Sequence, residues 1–199
     1  MSLTYEELKQ QYTALQQTYD YMLANRERIV RFFEEHKPAS AAFIGCGSGY
    51  CISEAGAFSF RLRGGLPSMA LAGGDLMLHA DRYRNMLNDA VLIAPSRSGS
   101  TSEVVEAVRR VNEGGRRPLL ALSCVTDSPL SKVADLALEL PWAFDHSVCQ
   151  TRTVTNLYTA NLLIAAFVGR DEEAVASVGE AIRQGEAYMA RVEAAIRQA

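Results

Sequence analysis

The stretch NDAVLIAPSRSGSTSEVV, residues Asn88–Val105, changes character twice, and the fold follows from those two changes. Ala90–Ala94 is a short, unbroken apolar run, the pattern of a strand buried on both faces of a parallel sheet. Pro95 is expected to end it. Val104, Val105, Val108 and Val111 then recur on one face of a helix. Between strand and helix lie Ser96, Arg97, Ser98, Gly99, Ser100, Thr101 and Ser102, which together supply five hydroxyls, a guanidinium and a glycine. A loop between a strand and a helix N-terminus points free backbone N–H groups, and the positive end of the helix dipole, at an anion. The hydroxyls rotate to suit a ligand, and Gly99 allows close backbone approach. Ser100 and Glu103 also have capping-box spacing, which assigns Ser100 to the helix rather than to a ligand.

Outward from this centre, strands and helices alternate. Ala41–Gly45 reads as the first strand, followed by Cys46-Gly47-Ser48-Gly49-Tyr50 and a helix from about Ile52 to Arg63. Gly45-x-Gly47 begins like a dinucleotide fingerprint. Tyr50, however, occupies the third glycine position, and no acid ends the next strand about 20 residues on, so a nicotinamide cofactor is not expected. Ser68–Ala72 is the second strand, with Gly73-Gly74-Asp75 as its exit turn and a helix over 76–87. Pro118–Ser123 is the fourth strand. Ser128 then caps a short helix with Pro129 at its first position, and Asp135–Leu140 alternates as an edge strand. Thr4–Glu35 reads as one long helix, with Thr4 and Glu7 as a capping box and Leu8, Tyr12, Leu15, Tyr19, Met22 and Leu23 as its apolar stripe. After an irregular segment at 141–150, Thr151–Val168 forms an apolar helix. Residues 171–198 give one or two amphipathic helices, with bends at Gly179 and Gly185. This alternation predicts an α/β domain: a five-stranded parallel sheet with helices on both faces and a ligand crevice at the carboxyl ends of its strands.

Composition narrows the function. The chain has 199 residues and a net charge of -3, so no global field favours nucleic acid or an anionic membrane. No run reaches the roughly 20 apolar residues of a membrane span, and the polar N-terminus is no signal peptide. Cys46, Cys51, Cys124 and Cys149 show no CxxC pairing, which fits reduced thiols in a cytoplasmic protein. His36, His79 and His146 lack the paired spacing of a zinc site, and no metal or other cofactor is expected.

Three segments resemble the sugar isomerase (SIS) domain family over about residues 34–169: SRSGSTSE at Ser96–Glu103, FIGCGSGY at Phe43–Tyr50, and FDHSVCQTRTVTNLYTANLL at Phe144–Leu163. Within the family they are similar to the first SIS half of glucosamine-6-phosphate synthase and to tagatose-6-phosphate aldose/ketose isomerase-like proteins. The resemblance implies a three-layer α/β/α sandwich with flavodoxin-like strand order. It implies one SIS domain over 1–199, with an N-terminal helix at 1–36 and C-terminal helices at 171–199. It also implies a homodimer. Ser96, the Arg97 backbone, Ser98, Gly99 and Thr101 would hold the phosphate of a hexose or amino-sugar 6-phosphate, and Cys46, Gly47, Ser48, Val148 and Gln150 would line the sugar. Asp145 stands where many relatives have Glu, and Gln150 where a small hydroxyl residue is common. Those relatives carry two SIS copies, with the catalytic carboxylate in the second.

Aldose–ketose isomerisation moves a proton between adjacent carbons and needs a positioned base. Glu54, Glu103, Asp145 and His146 are the candidates near the crevice, and Asp145 with His146 is the pair expected to act. Two functions remain in view. One is an isomerase working through an enediol, with its base in this chain or in a second copy. The other is a non-catalytic sugar-phosphate sensor.

Overall fold

The structure is a computed structural model that describes residues 2–198. Five strands, β1 (Ser40–Gly45), β2 (Ser68–Ala72), β3 (Ala90–Ser96), β4 (Leu119–Ser123) and β5 (Leu136–Glu139), form one parallel sheet in the order β2-β1-β3-β4-β5. This is the flavodoxin-like order, with β5 at an edge. The apolar run around Ala90 does lie in the centre, and every residue of β3 is buried.

Strand residues alternate between two cores, as a pleat covered on both faces requires. Phe43, Val91, Ile93, Leu120, Leu122 and Leu138 face one cluster. On that side lie α2 (Gln11–Ala24), α3 (Arg26–His36), α4 (Ser48–Ser59), α8 (Arg152–Val168) and α9 (Glu172–Gln198), with α1 (Leu3–Lys9) ahead of them in the chain. Ala42, Ile44, Leu92, Ala94, Leu119 and Ala121 face the other cluster. They meet α5 (Gly73–Tyr83), α6 (Ser102–Glu113) and α7 (Pro129–Val133).

Several local expectations need correction. The N-terminal segment is three helices, not one. Asn25 interrupts it because its side-chain amide donates to the Tyr21 carbonyl at 2.8 Å, competing with the backbone. The first helix is capped by Ser2 rather than Thr4, and Glu7 turns inward. Pro95 does not end β3. β1 pairs with β3 only as far as Ile93, so the proline sits where that flank is no longer paired. Gly73 and Gly74 are not an exit turn but the first residues of α5, which ends at Tyr83. α4 begins at Ser48 and passes into a π-helical turn at Phe60–Gly64. Only glycine fits at position 45, because a Cβ there would lie 2.3 Å from the Gly49 carbonyl oxygen. The C-terminal segment is one helix, and Gly179 and Gly185 let Tyr19 and Tyr12 pack against it instead of bending it.

At the opposite end of the sheet from the strand carboxyl termini, Arg117 is 3% exposed and its guanidinium meets only carbonyls. It donates to Leu87 and Val111 at 2.8 Å, Gly115 at 2.5 Å and Arg84 at 3.3 Å. Burial, with the nearby Arg84 charge, lowers its pKa. The guanidinium ties the end of α6 to the turn after α5. Arg117→Met leaves buried acceptors unpaired and should lower stability by about 2 kcal/mol or more in urea unfolding. Arg117→Lys should restore only part of this, because one ammonium cannot span the same carbonyls.

Candidate functional site at the carboxyl ends of β1 and β3

β1 and β3 are neighbours, yet their following helices leave on opposite faces. α4 packs into the cluster with Phe43, and α6 into the cluster with Ile44. Such a switch point opens a crevice between two loops. A pocket of about 100 Å³ fills it, lined by Cys46, Gly49, Ile52, Pro95, Ser96, Arg97, Ser98, Thr101, Val104, Gln150 and Leu157.

The floor is the β3–α6 loop, and its backbone is held from outside. The Gly99 N–H donates to Ser96 Oγ at 3.0 Å, and Ser96 Oγ lies 3.5 Å from Thr101 Oγ1. Gly99 is buried with φ +60°, and a Cβ there would lie 2.1 Å from Ser128 Oγ, so glycine is required twice over. Its carbonyl accepts from the Leu130 N–H at 2.9 Å, and the Arg97 carbonyl accepts from the Cys124 N–H at 3.1 Å. The expected Ser100–Glu103 box does not form. Thr101 precedes α6 with no side-chain cap bond, and the Ser100 N–H donates to Ser98 Oγ at 3.2 Å. First-turn amides have no carbonyl partner within their own helix, so α6 presents them at the end of this loop.

The sequence-predicted phosphate residues Ser96, Arg97, Ser98 and Thr101 therefore converge on one pocket, with Gly99 shaping the turn behind them. Of the residues expected around the sugar, Cys46 and Gln150 line it. Gly47 (φ +55°) and Ser48 stand exposed where β1 passes into α4, and Val148 is 93% exposed to solvent. Glu54 and Glu103 are not among the lining residues.

Asp145 and His146 do not enter the pocket. Asp145 is 0% exposed, and its Oδ2 accepts from the N–H groups of Thr151 at 2.6 Å and Thr153 at 3.0 Å. Thr153 Oγ1 in return accepts from the Asp145 N–H at 3.0 Å. Arg152 Nε approaches the other carboxylate oxygen to 3.2 Å. Asp145 thus starts α8 as a reciprocal cap, an arrangement that leaves no room for a proton-transferring water. The His146 ring is exposed and packs edge-on against Phe144 at 5.1 Å.

Glu7 is the residue that sequence reasoning missed. It is 2% exposed, and its carboxylate accepts from the His146 N–H at 2.6 Å, the Ser147 N–H at 3.3 Å and Ser147 Oγ. Burial alone would raise its pKa. The Ser147 hydroxyl, the two amides and the Arg152 charge outweigh burial and hold it below the ordinary carboxylate value. Its partners are backbone groups 139 and 140 positions away, which no local motif reveals.

Cysteine reactivity reports on this geometry. Burial, reinforced by the Asp145 charge, pushes the Cys124 thiol up to about 12, whereas Cys46, Cys51 and Cys149 are exposed. A small alkylating reagent should modify those three on the native protein and reach Cys124 only on unfolding, as read by peptide mass spectrometry. Bound inorganic phosphate should slow Cys46 and leave Cys51 unchanged; equal slowing at both would remove Cys46 from the pocket wall.

Among the described residues, no helix is long and apolar enough to cross a membrane, and no group of three His, Cys, Asp or Glu could hold a metal ion. A family model described as the SIS domain matches residues 36–167. The isomerizing glutamine–fructose-6-phosphate aminotransferase of Pectobacterium atrosepticum is 28% identical over 158 residues, 78% of this chain but 25% of that protein. This chain thus spans about a quarter of that relative's length. The crystal structure of tagatose-6-phosphate ketose/aldose isomerase from Escherichia coli matches with a TM-score of 0.83 at 20% identity, over 96% of this chain and 54% of that one. An Escherichia coli CFT073 protein solved in complex with a sugar phosphate matches with a TM-score of 0.70 at 21% identity, over 86% of this chain and 88% of that one. Strand order, the two loops at the switch point and a family match across most of the sheet agree: the chain belongs to the SIS domain family.

Proposed function

We propose that this chain binds a sugar phosphate, with the phosphate in the β3–α6 loop and the sugar at the pocket mouth between Cys46 and Gln150. The supporting observation is the convergence of Ser96, Ser98 and Thr101 with the uncapped start of α6 on one small pocket. At about 100 Å³ it is well below the roughly 300–1,000 Å³ of drug-sized clefts. It suits an anionic group, with the rest of the ligand at the opening. The match to a protein solved with a sugar phosphate, over a similar extent of chain, supports a small phosphorylated ligand. Hexose or amino-sugar 6-phosphates are the class we favour, given the aminotransferase and isomerase relatives. The reading includes a cytoplasmic homodimer; exposed free thiols and the exposed Phe58 and Leu62 at the end of α4 support it.

A second reading is aldose–ketose isomerisation. None of the described pocket-lining residues is a carboxylate or an imidazole, so the base for an enediol step would come from a second copy. Solvent deuterium appearing at the carbons next to the carbonyl of a hexose 6-phosphate would establish turnover. Thermal stabilisation without deuterium uptake would establish the sensor.

Ser98→Ala and Thr101→Ala should each weaken binding of fructose 6-phosphate by roughly 10- to 100-fold, since a hydrogen bond to a charged group contributes about 1.5–3 kcal/mol. Binding of free fructose should be unchanged in the same calorimetric titrations. Equal losses for both ligands would remove the phosphate assignment.

A further inference from the structure

Glu7 is the one buried residue of α1. A seven-residue helix is too short to persist alone in water, and this one is not docked by an apolar side chain of its own. It is docked by a carboxylate that reaches the segment carrying Gln150. The opposite side of that segment is held by Arg97, whose Nη1 donates to the carbonyls of Asp145 at 3.3 Å and Ser147 at 2.9 Å. Arg97 belongs to the β3–α6 loop, and its guanidinium also lies 5.7 Å from the centre of the Phe144 ring.

These bonds share one peptide group. The Asp145 carbonyl accepts from Arg97, and the His146 N–H of the same amide donates to Glu7. A peptide dipole thus lies between a cation at its oxygen end and an anion at its hydrogen end. Both bonds are charge-assisted, and each polarises the amide in the direction that strengthens the other. Ser147 repeats the pattern, giving its N–H and hydroxyl to Glu7 and its carbonyl to Arg97. The contacts at the ends of α1 lie at the surface instead: Lys9 Nζ pairs with Glu193 at 2.6 Å, and Tyr5 donates to the same carboxylate.

We propose that Glu7 is a positioning residue for the pocket, coupling the docking of α1 to occupancy of the β3–α6 loop through the Asp145–His146 peptide and Arg97. The coupling rests on that loop binding an anion, and it goes further by assigning the N-terminal helix to the same site. An anion that fixes the loop backbone also fixes Arg97, Arg97 holds the 145–147 carbonyls, and those peptides present their N–H groups to Glu7. Linkage runs both ways, so undocking α1 weakens the anion site by the same factor.

Hydrogen exchange of the full chain, followed by mass spectrometry with inorganic phosphate as the probe, tests this. Saturating phosphate should slow exchange in 97–103, in 145–151 and also in 3–9, which a purely structural Glu7 would not produce. In Glu7→Gln without ligand, exchange over 145–151 should rise roughly tenfold or more while β1 and β3 stay protected. Phosphate should then protect 97–103 but no longer 3–9. Protection of 97–103 in the wild type with no slowing at 3–9 would overturn the coupling, as would unchanged 145–151 exchange in Glu7→Gln. If phosphate protects no segment, the anion reading fails and the coupling with it, while the unliganded comparison still decides whether Glu7 holds the 145–147 backbone. Ser147→Ala, which spares both backbone amides, serves as the second variant should Glu7→Gln lose its protected core.

Discussion

The structure depends on β3 being buried along its whole length while its carboxyl end must still pass into solvent-facing chain. A central parallel strand has every side chain committed to one core or the other, so polar groups can appear only where the strand stops. Ser96 marks that point. From there the backbone has to satisfy its donors and acceptors without a ladder. It does so by borrowing from β4 and α7, through Cys124 and Leu130, and from its own serines. The anion-binding shape of the loop is a by-product of this constraint. Once the loop carbonyls are bonded outward, its remaining N–H groups and hydroxyls face inward.

Electrostatics at the site is correspondingly local. The chain has a net charge of -3, so nothing at long range draws an anion in. The one guanidinium of the loop turns its fork toward backbone carbonyls, leaving hydroxyls, amides and a helix end to meet the ligand. Asp145 is likewise absorbed by architecture: a fully buried carboxylate between two amides and an arginine organises the start of α8. Opposed charges on either side of one short segment explain how a loop with little apolar content of its own keeps a defined course.

What was legible in the sequence divides along the range of the interactions. Strands buried on both faces and helices with one apolar face announce themselves by period, so the sheet, its parallel sense and the phosphate-loop residues could be read directly. The Ser128–Pro129 start of α7 was legible for the same reason, since a cap is local. Breaks in the N-terminal helix were not, because Asn25 acts through geometry that a helical stripe conceals. Pro95 misled because the rule against proline in strands applies only where a ladder needs its N–H, and pairing partners are not written in the sequence. Asp145 was read from residue type and neighbourhood, yet burial decides what a carboxylate does. Glu7 was assigned to its own helix when its partners lie across the molecule.

The sheet also separates the two walls of the crevice. The α4 wall stands on the cluster containing Phe43, Phe60 and Leu163, and the α6 wall on the cluster containing Leu76, Leu92 and Val108, with the strand plane between them. Because close-packed interiors pass volume changes on to their immediate neighbours, a methylene gained or lost in one cluster shifts one wall and spares the other. The jaw that meets the anion and the jaw that meets the remainder of the ligand can therefore drift apart in sequence at independent rates. Such a scaffold can exchange one sugar for another while its grip on the charged end stays unaltered.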